Sequence, residues 1–401
     1  MDDQRDLSVF VRRLHGENNS KDKVIGSRLC YYSFKFNLTI ISKELYEGHL
    51  HLSFDPHGVS INAVFVKVDQ ADAKKIFQRT SAINDGIVLK PWTYVFSRQK
   101  KKLFDDLHKK ADLKKGIWTL CYDRFEHTLE NWTNLAKPQP KAKGIAYNDN
   151  LKLPIKTGDD RRLNEFWRKS IRELIDGLGR IHSKGLYHRG LGSESNYVFI
   201  GECLKVINIK GDLDEFNTDE DSENKKKEDI TDLLGMLDNW FESILAGGKR
   251  SWLECQHFFD FVNRAKTLNL DYDVFVKKVA CHPFLLEADG RMSLFVEYDR
   301  RRNALTTHQD VAIALTSSSD FANFKSWNST STVNNMDSYM RGVYNHRNYS
   351  GDVEDLLRYL RNLHHHYHEH GLAAGSMEIV DRGVTTHFRG FLELLYKNLE
   401  I

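Results

Sequence analysis

Cysteine is sparse in this 401-residue chain and poorly placed for metal chemistry. Cys30, Cys121, Cys203, Cys255 and Cys281 are odd in number, far apart and without the paired spacing of a zinc site, which argues against a disulfide framework and for a reducing compartment. Long apolar runs are absent too: none approaches the ~20 residues of a membrane span. Residues Met1 to Asp6 show neither the basic start nor the apolar centre of a secretion signal. These absences predict a cytoplasmic or nuclear protein with no membrane partner. An excess of one charge is also missing. Against 58 Lys and Arg stand 56 Asp and Glu, a net of +2, so any nucleic acid must be met by local patches. Of only six prolines, three fall between Lys137 and Asp159, marking that stretch as a loop.

What the chain does hold is a core. At 40% hydrophobic and 11% aromatic, and with this length, it has material for two or three domains. Residues 1–24 are polar and predict a flexible leader. Alternating segments at 49–54 and 60–68 predict antiparallel strands, joined by a turn at Asp55 to Gly58. A helix is expected over 71–83, and 117–125, followed by a helix from Leu129, resembles the last strand and hinge between the lobes of a protein kinase. The lysine-rich stretch 99–115 reads as a solvated helical excursion, with an RNA or partner contact as its sharper alternative. Phe166, Ile171, Leu174, Ile175, Leu178 and Ile181 recur at helical spacing and predict a long core helix over 163–182. The polar run 217–229 predicts a mobile segment, and 285–401 reads as almost wholly helical, with Trp327 anchoring a small core and a closing helix over 387–396.

One stretch combines pattern with chemistry. Asp352 can cap a helix whose apolar face is Val353, Leu356, Leu357, Leu360, Leu363 and Tyr367. At about 100° per residue, Arg361, Asn362 and His366 fall off that stripe and are expected to share a solvent-accessible flank. A guanidinium grips phosphate oxygens, an amide orients, and an imidazole with a reference pKa near 6.5 gives or takes a proton around neutrality. Periodicity alone makes such a face no more than a wet surface. In the run His364 to His370, the i, i+4 pairs His364/His368 and His366/His370 could hold zinc on a helix, but no third-ligand pattern accompanies them, and no metal is expected.

The run from Asp355 to Tyr367, Asp-Leu-Leu-Arg-Tyr-Leu-Arg-Asn-Leu-His-His-His-Tyr, resembles the signature of the KEN endoribonuclease domain, found in ribonuclease L and in the inositol-requiring kinase/endoribonuclease. Tyr349, Asp355-Leu356-Leu357, Arg361, Asn362 and His366 stand in the order of that pattern. Upstream, Ile181-His182-Ser-Lys-Gly-Leu-Tyr-His188-Arg189 resembles the approach to a protein-kinase catalytic loop, but Gly190 stands where the family has its proton-accepting aspartate. Lys67 resembles the nucleotide-contacting lysine and Asn196 the metal-binding asparagine. Asn208 occupies the place of the magnesium-holding aspartate, and the phosphate-covering glycine loop is missing around Gly58. The phrase Val279 to Phe284 resembles the close of a kinase domain.

The resemblance implies an α+β chain: a bilobal kinase-like pseudokinase domain over 25–284, then an all-α KEN ribonuclease domain over 285–401. It implies a metal-independent endoribonuclease in which a ribose 2′-hydroxyl attacks the adjacent phosphate to leave 2′,3′-cyclic ends. His366 would act as general acid, Tyr349 as base or positioner of the 2′-hydroxyl, Arg361 as phosphate clamp and Asn362 as the orienting residue. It further implies a single-stranded or stem-loop RNA substrate, a homodimer paired through its pseudokinase part, no cofactor for cleavage, and ATP or ADP in the cleft beside Lys67, Asn196 and Asn208. The competing reading is a non-catalytic scaffold that binds RNA or pairs with an active relative. An active kinase is the weakest reading, because Gly190 and Asn208 replace the required acids.

Overall fold

The computed structural model of the chain describes residues 22–25, 30–34, 45–52, 60–69, 71–97, 117–136, 162–245, 252–268, 270–303, 310–373 and 375–400. Residues 1–21 of the expected leader 1–24, the turn 55–58, the lysine-rich stretch 99–115 and the loop 137–159 lie outside those residues, while 22–24 of that leader already belong to a strand. By internal contacts the chain forms two compact units, 1–143 with 173–236, and 144–172 with 237–401.

In the first unit, alternation becomes an antiparallel sheet of β1 (Asp22–Ile25), β2 (Cys30–Phe34), β3 (Leu45–Leu52), β4 (Ser60–Val68), β5 (Thr93–Ser97) and β6 (Ile117–Asp123), in the order β1-β2-β3-β4-β6-β5. Val64 and Val66 of β4 project with Leu120 and Tyr122 of β6 onto Ala73 and Ile76 of α1 (Ala73–Ala82), forming one core. Their alternate neighbours Phe65 and Cys121 are fully buried as well, so these two central strands are covered on both faces. Next come β7 (His127–Thr128) and α2 (Leu129–Ala136), then α3 (Glu165–His182), β8 (Leu186–Tyr187), β9 (Tyr197–Ile200), β10 (Cys203–Val206) and β11 (Gly211–Asp212). Strands β10, β9 and β7 pair side by side, as do β11 and β8.

Helix α3 buries Ile171, Leu174, Ile175, Leu178 and Ile181 completely, as its spacing predicts, but Trp167 rather than the half-exposed Phe166 heads the stripe. Gly177 sits mid-helix because a Cβ there would lie 2.2 Å from Ile87 Cδ1. The polar run 217–229 is not a mobile segment. It forms the opening turns of α4 (Asp219–Leu245), whose first turn carries Asp219, Glu220 and Asp221 against the positive end of the helix dipole. The pairs Lys227–Glu223 (2.8 Å) and Lys225–Glu228 (2.5 Å) lie along the same turns, and Glu and Lys are strong helix formers.

The second unit is helical: α5 (Leu253–Thr267), α6 (Tyr272–Ala280), α7 (Ala288–Asn303), α8 (Asp310–Ser317), α9 (Thr330–Asn335), α10 (Ser338–Asn345), α11 (Val353–His366), α12 (Met377–His387) and α13 (Phe391–Glu400). The chain as a whole is α+β. The expected domain boundary after Phe284 does not coincide with a gap in packing. Phe284 lies 5.0 Å from Phe258 and 5.2 Å from Trp252, and Arg291 of α7 reaches back to the Pro283 carbonyl at 3.0 Å. Arg291 is buried among Asp381 (3.0 Å), Glu393 (3.1 Å) and Glu254 (3.6 Å), which ties α7 to α12, α13 and α5. The closing helix expected over 387–396 begins only at Phe391, since His387 still belongs to α12. Gly390, at φ +84°, turns the chain between α12 and α13, and a side chain there would also strike Leu253 at 2.8 Å.

Candidate active site

Helix α11 starts as its sequence predicts: the Asp352 side chain accepts the Asp355 N–H at 2.7 Å. Val353, Leu356, Leu357, Leu360, Leu363 and Tyr367 are all buried. The turn before it is held from several sides. Ser350 N–H donates to Asp355 Oδ2 at 2.6 Å, Asn328 Nδ2 to the Tyr349 carbonyl at 3.0 Å, and Trp327 Nε1 to the Asp352 carbonyl at 2.9 Å. Trp327 also stacks on Tyr359 at 5.0 Å, so the residue expected to anchor the helical core both anchors it and clamps this turn.

Three of the four candidate residues form one bonded row. Arg361 Nη1 donates to Asn362 Oδ1 at 2.8 Å, and Asn362 Nδ2 donates to the Tyr349 hydroxyl at 2.8 Å. This corrects the expectation of a shared wet flank: Asn362 is 4% exposed, its amide turned inward because the Tyr349 oxygen waits there as an acceptor. Tyr349 is 8% exposed, its ring packed on Tyr344 and Tyr359 with the Arg358 guanidinium 5.2 Å above its centre. Burial pushes the phenol above its ordinary pKa, opposed by the Asn362 hydrogen bond and by Arg358, Arg347 and Arg361. Since the phenol keeps its proton at neutrality and its oxygen already accepts from Asn362, it is equipped to donate rather than to abstract.

His366 stands one turn beyond Asn362, at the end of α11, and is not bonded to the row. Its Nδ1 is 2.9 Å from Glu369 Oε1 and its side chain is 42% exposed. A carboxylate brings no proton, so Nδ1 donates and Nε2 is left for a substrate. That hydrogen bond holds Glu369 below the usual carboxylate range. The helix ends at His366, and Tyr367–His370 continue as a 3₁₀ turn, which breaks the i, i+4 register that would bring the histidine pairs together.

Pattern reading missed Asp299 of α7. It is 3% exposed, and its carboxylate takes Arg361 Nε at 3.0 Å and Arg302 Nη2 at 2.8 Å. The pair with Arg302 is legible as an i, i+3 spacing, whereas the bond to Arg361 spans 62 residues and leaves no local mark.

In the first unit a cleft of about 1250 Å³ is lined by Lys67, Arg189, Asn196, Asn208, Lys210 and Asp229, so the three candidate nucleotide residues share one cavity. Asn208, at φ +66°, accepts from Tyr122 Oη at 2.8 Å and donates to Asn196 Oδ1 at 3.0 Å, while Asn196 Nδ2 donates to the Gly190 carbonyl at 2.8 Å. Both amide oxygens are thus engaged, and neither brings the charge of a carboxylate, so the pair does not fit a magnesium ion. A Cβ at Gly190 would meet Asn196 Nδ2 at 3.1 Å, so the amide fills space toward an aspartate's position. The loop is held instead by buried Asp229, which accepts the backbone N–H groups of His188 and Arg189 and pairs with His182 at 3.1 Å.

No curated protein matches the chain. Among solved structures, the Neurospora crassa PAN3 pseudokinase is similar at TM-score 0.38 and 10% identity, over 84% of this chain and 74% of that one. Rad53 residues 1–466, in complex with AMP-PNP, is similar at TM-score 0.34 and 11% identity, over 64% and 65%. Residues 295–398 match the family described as Ribonuclease 2-5A, a span that holds Asp299, Tyr349, Arg361, Asn362 and His366 together. Over that span the C-terminal region of this chain is similar to the ribonuclease 2-5A family.

Proposed function

We propose that this region cleaves RNA, single-stranded or in the loop of a stem, without a metal ion. The substrate carries its own nucleophile: the ribose 2′-oxygen bonds to the adjacent phosphorus, the bond from phosphorus to the 5′-oxygen breaks, and a 2′,3′-cyclic phosphate and a 5′-hydroxyl result. His366 Nε2 gives a proton to the departing 5′-oxygen, and the Arg361 guanidinium balances charge growing on the phosphate oxygens. The Tyr349 phenol positions the 2′-hydroxyl by hydrogen bonding while that hydroxyl's proton passes to solvent water as the new bond forms, and Asn362 fixes phenol and guanidinium relative to each other. The observation that carries the reading is the bonded row Tyr349–Asn362–Arg361 on the helix that ends in a partly exposed His366, inside a span matching a ribonuclease family.

Pairing of two chains through the first unit regulates cleavage in this reading. ATP or ADP enters the cleft beside Lys67, with no cation held between Asn196 and Asn208. End-labelled stem-loop RNA incubated in EDTA tests the proposal. The expected result is cyclic-phosphate products, formed more steeply than in proportion to protein concentration. His366→Ala should lower the rate by at least about 100-fold with little change in melting, since the ring is exposed. Intact RNA over a wide range of protein concentration would leave only a folded scaffold.

A further inference from the structure

We infer that Asp299 is a positioning residue of the RNA-cleaving site, acting through Arg361. The inference rests on the nuclease reading above and adds to it the group that decides which edge of the guanidinium meets the phosphate.

An arginine on a helix surface has four side-chain torsions to immobilise before its guanidinium points one way. Arg361 remains about one-third exposed, so packing alone does not hold it. Two bonds do. Asp299 Oδ2 takes Nε at 3.0 Å and Asn362 Oδ1 takes Nη1 at 2.8 Å, which leaves Nη2 without a protein partner among the described residues. The guanidinium is planar, so fixing two of its nitrogens fixes the direction of the third. Asp299 is itself rigid: it is buried on α7, and its other oxygen is gripped by Arg302, which reaches Glu354 at the start of α11 at 3.4 Å. One carboxylate therefore sets Arg361, and through Arg361 and Asn362 the row ends at the Tyr349 hydroxyl. If its charge is removed while its shape is kept, Arg361 loses the anchor that makes it a directed donor.

The test is a double-mutant cycle on cleavage by the full chain, with Asp299→Asn and Arg361→Lys singly and together. Asp299→Asn should lower kcat by about 10- to 100-fold, as loss of an orienting partner does. In the Arg361→Lys background, which has no Nε–H to anchor, it should cost less than about 3-fold more, the non-additivity expected of residues acting as a unit. Arg300→Gln, on the exposed side of α7 and outside the bonded row, should leave kcat within about 3-fold, which separates positioning from a general effect of altering α7. If Asp299→Asn melts below the assay temperature, Asp299→Glu, which keeps the charge and displaces it by one methylene, enters the same cycle with the same expected non-additivity. Full additivity, or an Asp299→Asn enzyme as fast as wild type, overturns the inference and leaves the nuclease reading standing. Failure of the wild type to cleave removes both.

Discussion

The residue whose role changes most between pattern and structure is Tyr349. In a bare motif a phenol beside an imidazole serves equally well as base or as orienting group, and only its surroundings choose. Here burial raises its pKa and Asn362 occupies its oxygen, so the proton stays on and the group donates. The expected outcome is a pH–rate profile that does not climb tenfold per unit between pH 8 and 10, as it would were the phenolate the base. Tyr349→Phe should lower the rate without changing the shape of that profile. The same substitution leaves the buried Asn362 amide without its acceptor, at about 1–3 kcal/mol of stability, readable as a lower denaturation midpoint.

At the scale of the element, α11 is the frame and α12 is its tightest neighbour's support. Gly383 lies mid-way along α12, where helix propensity alone says alanine should stabilise by about 1 kcal/mol. The packing reverses that sign. A Cβ at Gly383 would fall 2.3 Å from the Tyr339 hydroxyl and 3.0 Å from Met340 Sδ of α10, and α10 supplies the carbonyl that receives the Tyr359 hydroxyl at 3.1 Å. Gly383→Ala is expected to destabilise the helical unit by about 1–3 kcal/mol through overpacking, measured by chemical denaturation. Because Tyr359 stacks on Trp327, the strain should also loosen the turn at Tyr349, seen as faster amide exchange over 350–356.

Over the whole molecule the buried histidines set the response to acid. His188 in the first unit and His282 in the second are fully buried, and burial depresses both pKa values despite the Asp229 charge near His188. A depressed imidazole contributes stability that is present above its unfolded pKa of about 6.5 and lost as pH falls. In the second unit an opposite contribution exists. Burial, reinforced by Glu393 and Asp381 against the pull of Arg291, pushes Glu254 up to about 7, so its contribution is greatest at low pH and fades as pH rises from about 4.5 toward 7. Taking pH from 7 to 5 should therefore weaken the first unit, while in the second the falling contribution of His282 and the rising one of Glu254 oppose each other, with unit-resolved hydrogen exchange as the measurement. His188→Gln should flatten the response of the first unit.

Much of this was legible one helix at a time. The buried stripe of α11, its Asp352 cap and the core face of α3 follow from local spacing, because periodicity reports angles around a single axis, whereas Tyr349 joins Arg361, Asn362 and His366 only through the family resemblance. It says nothing about what stands opposite each angle. That Asn362 turns inward to a phenol, that Asp299 reaches Arg361 across 62 residues, and that Phe284 packs within the helical unit rather than at its edge depend on which helices meet. The run 217–229 was misread for a related reason: polarity excludes a core, yet it does not exclude a solvated helix stitched by its own Glu–Lys pairs. Sequence by itself determined which groups this protein can bring to a phosphate; the packing of α7 against α11 decided which of them are held, which way they face and which proton stays where it is.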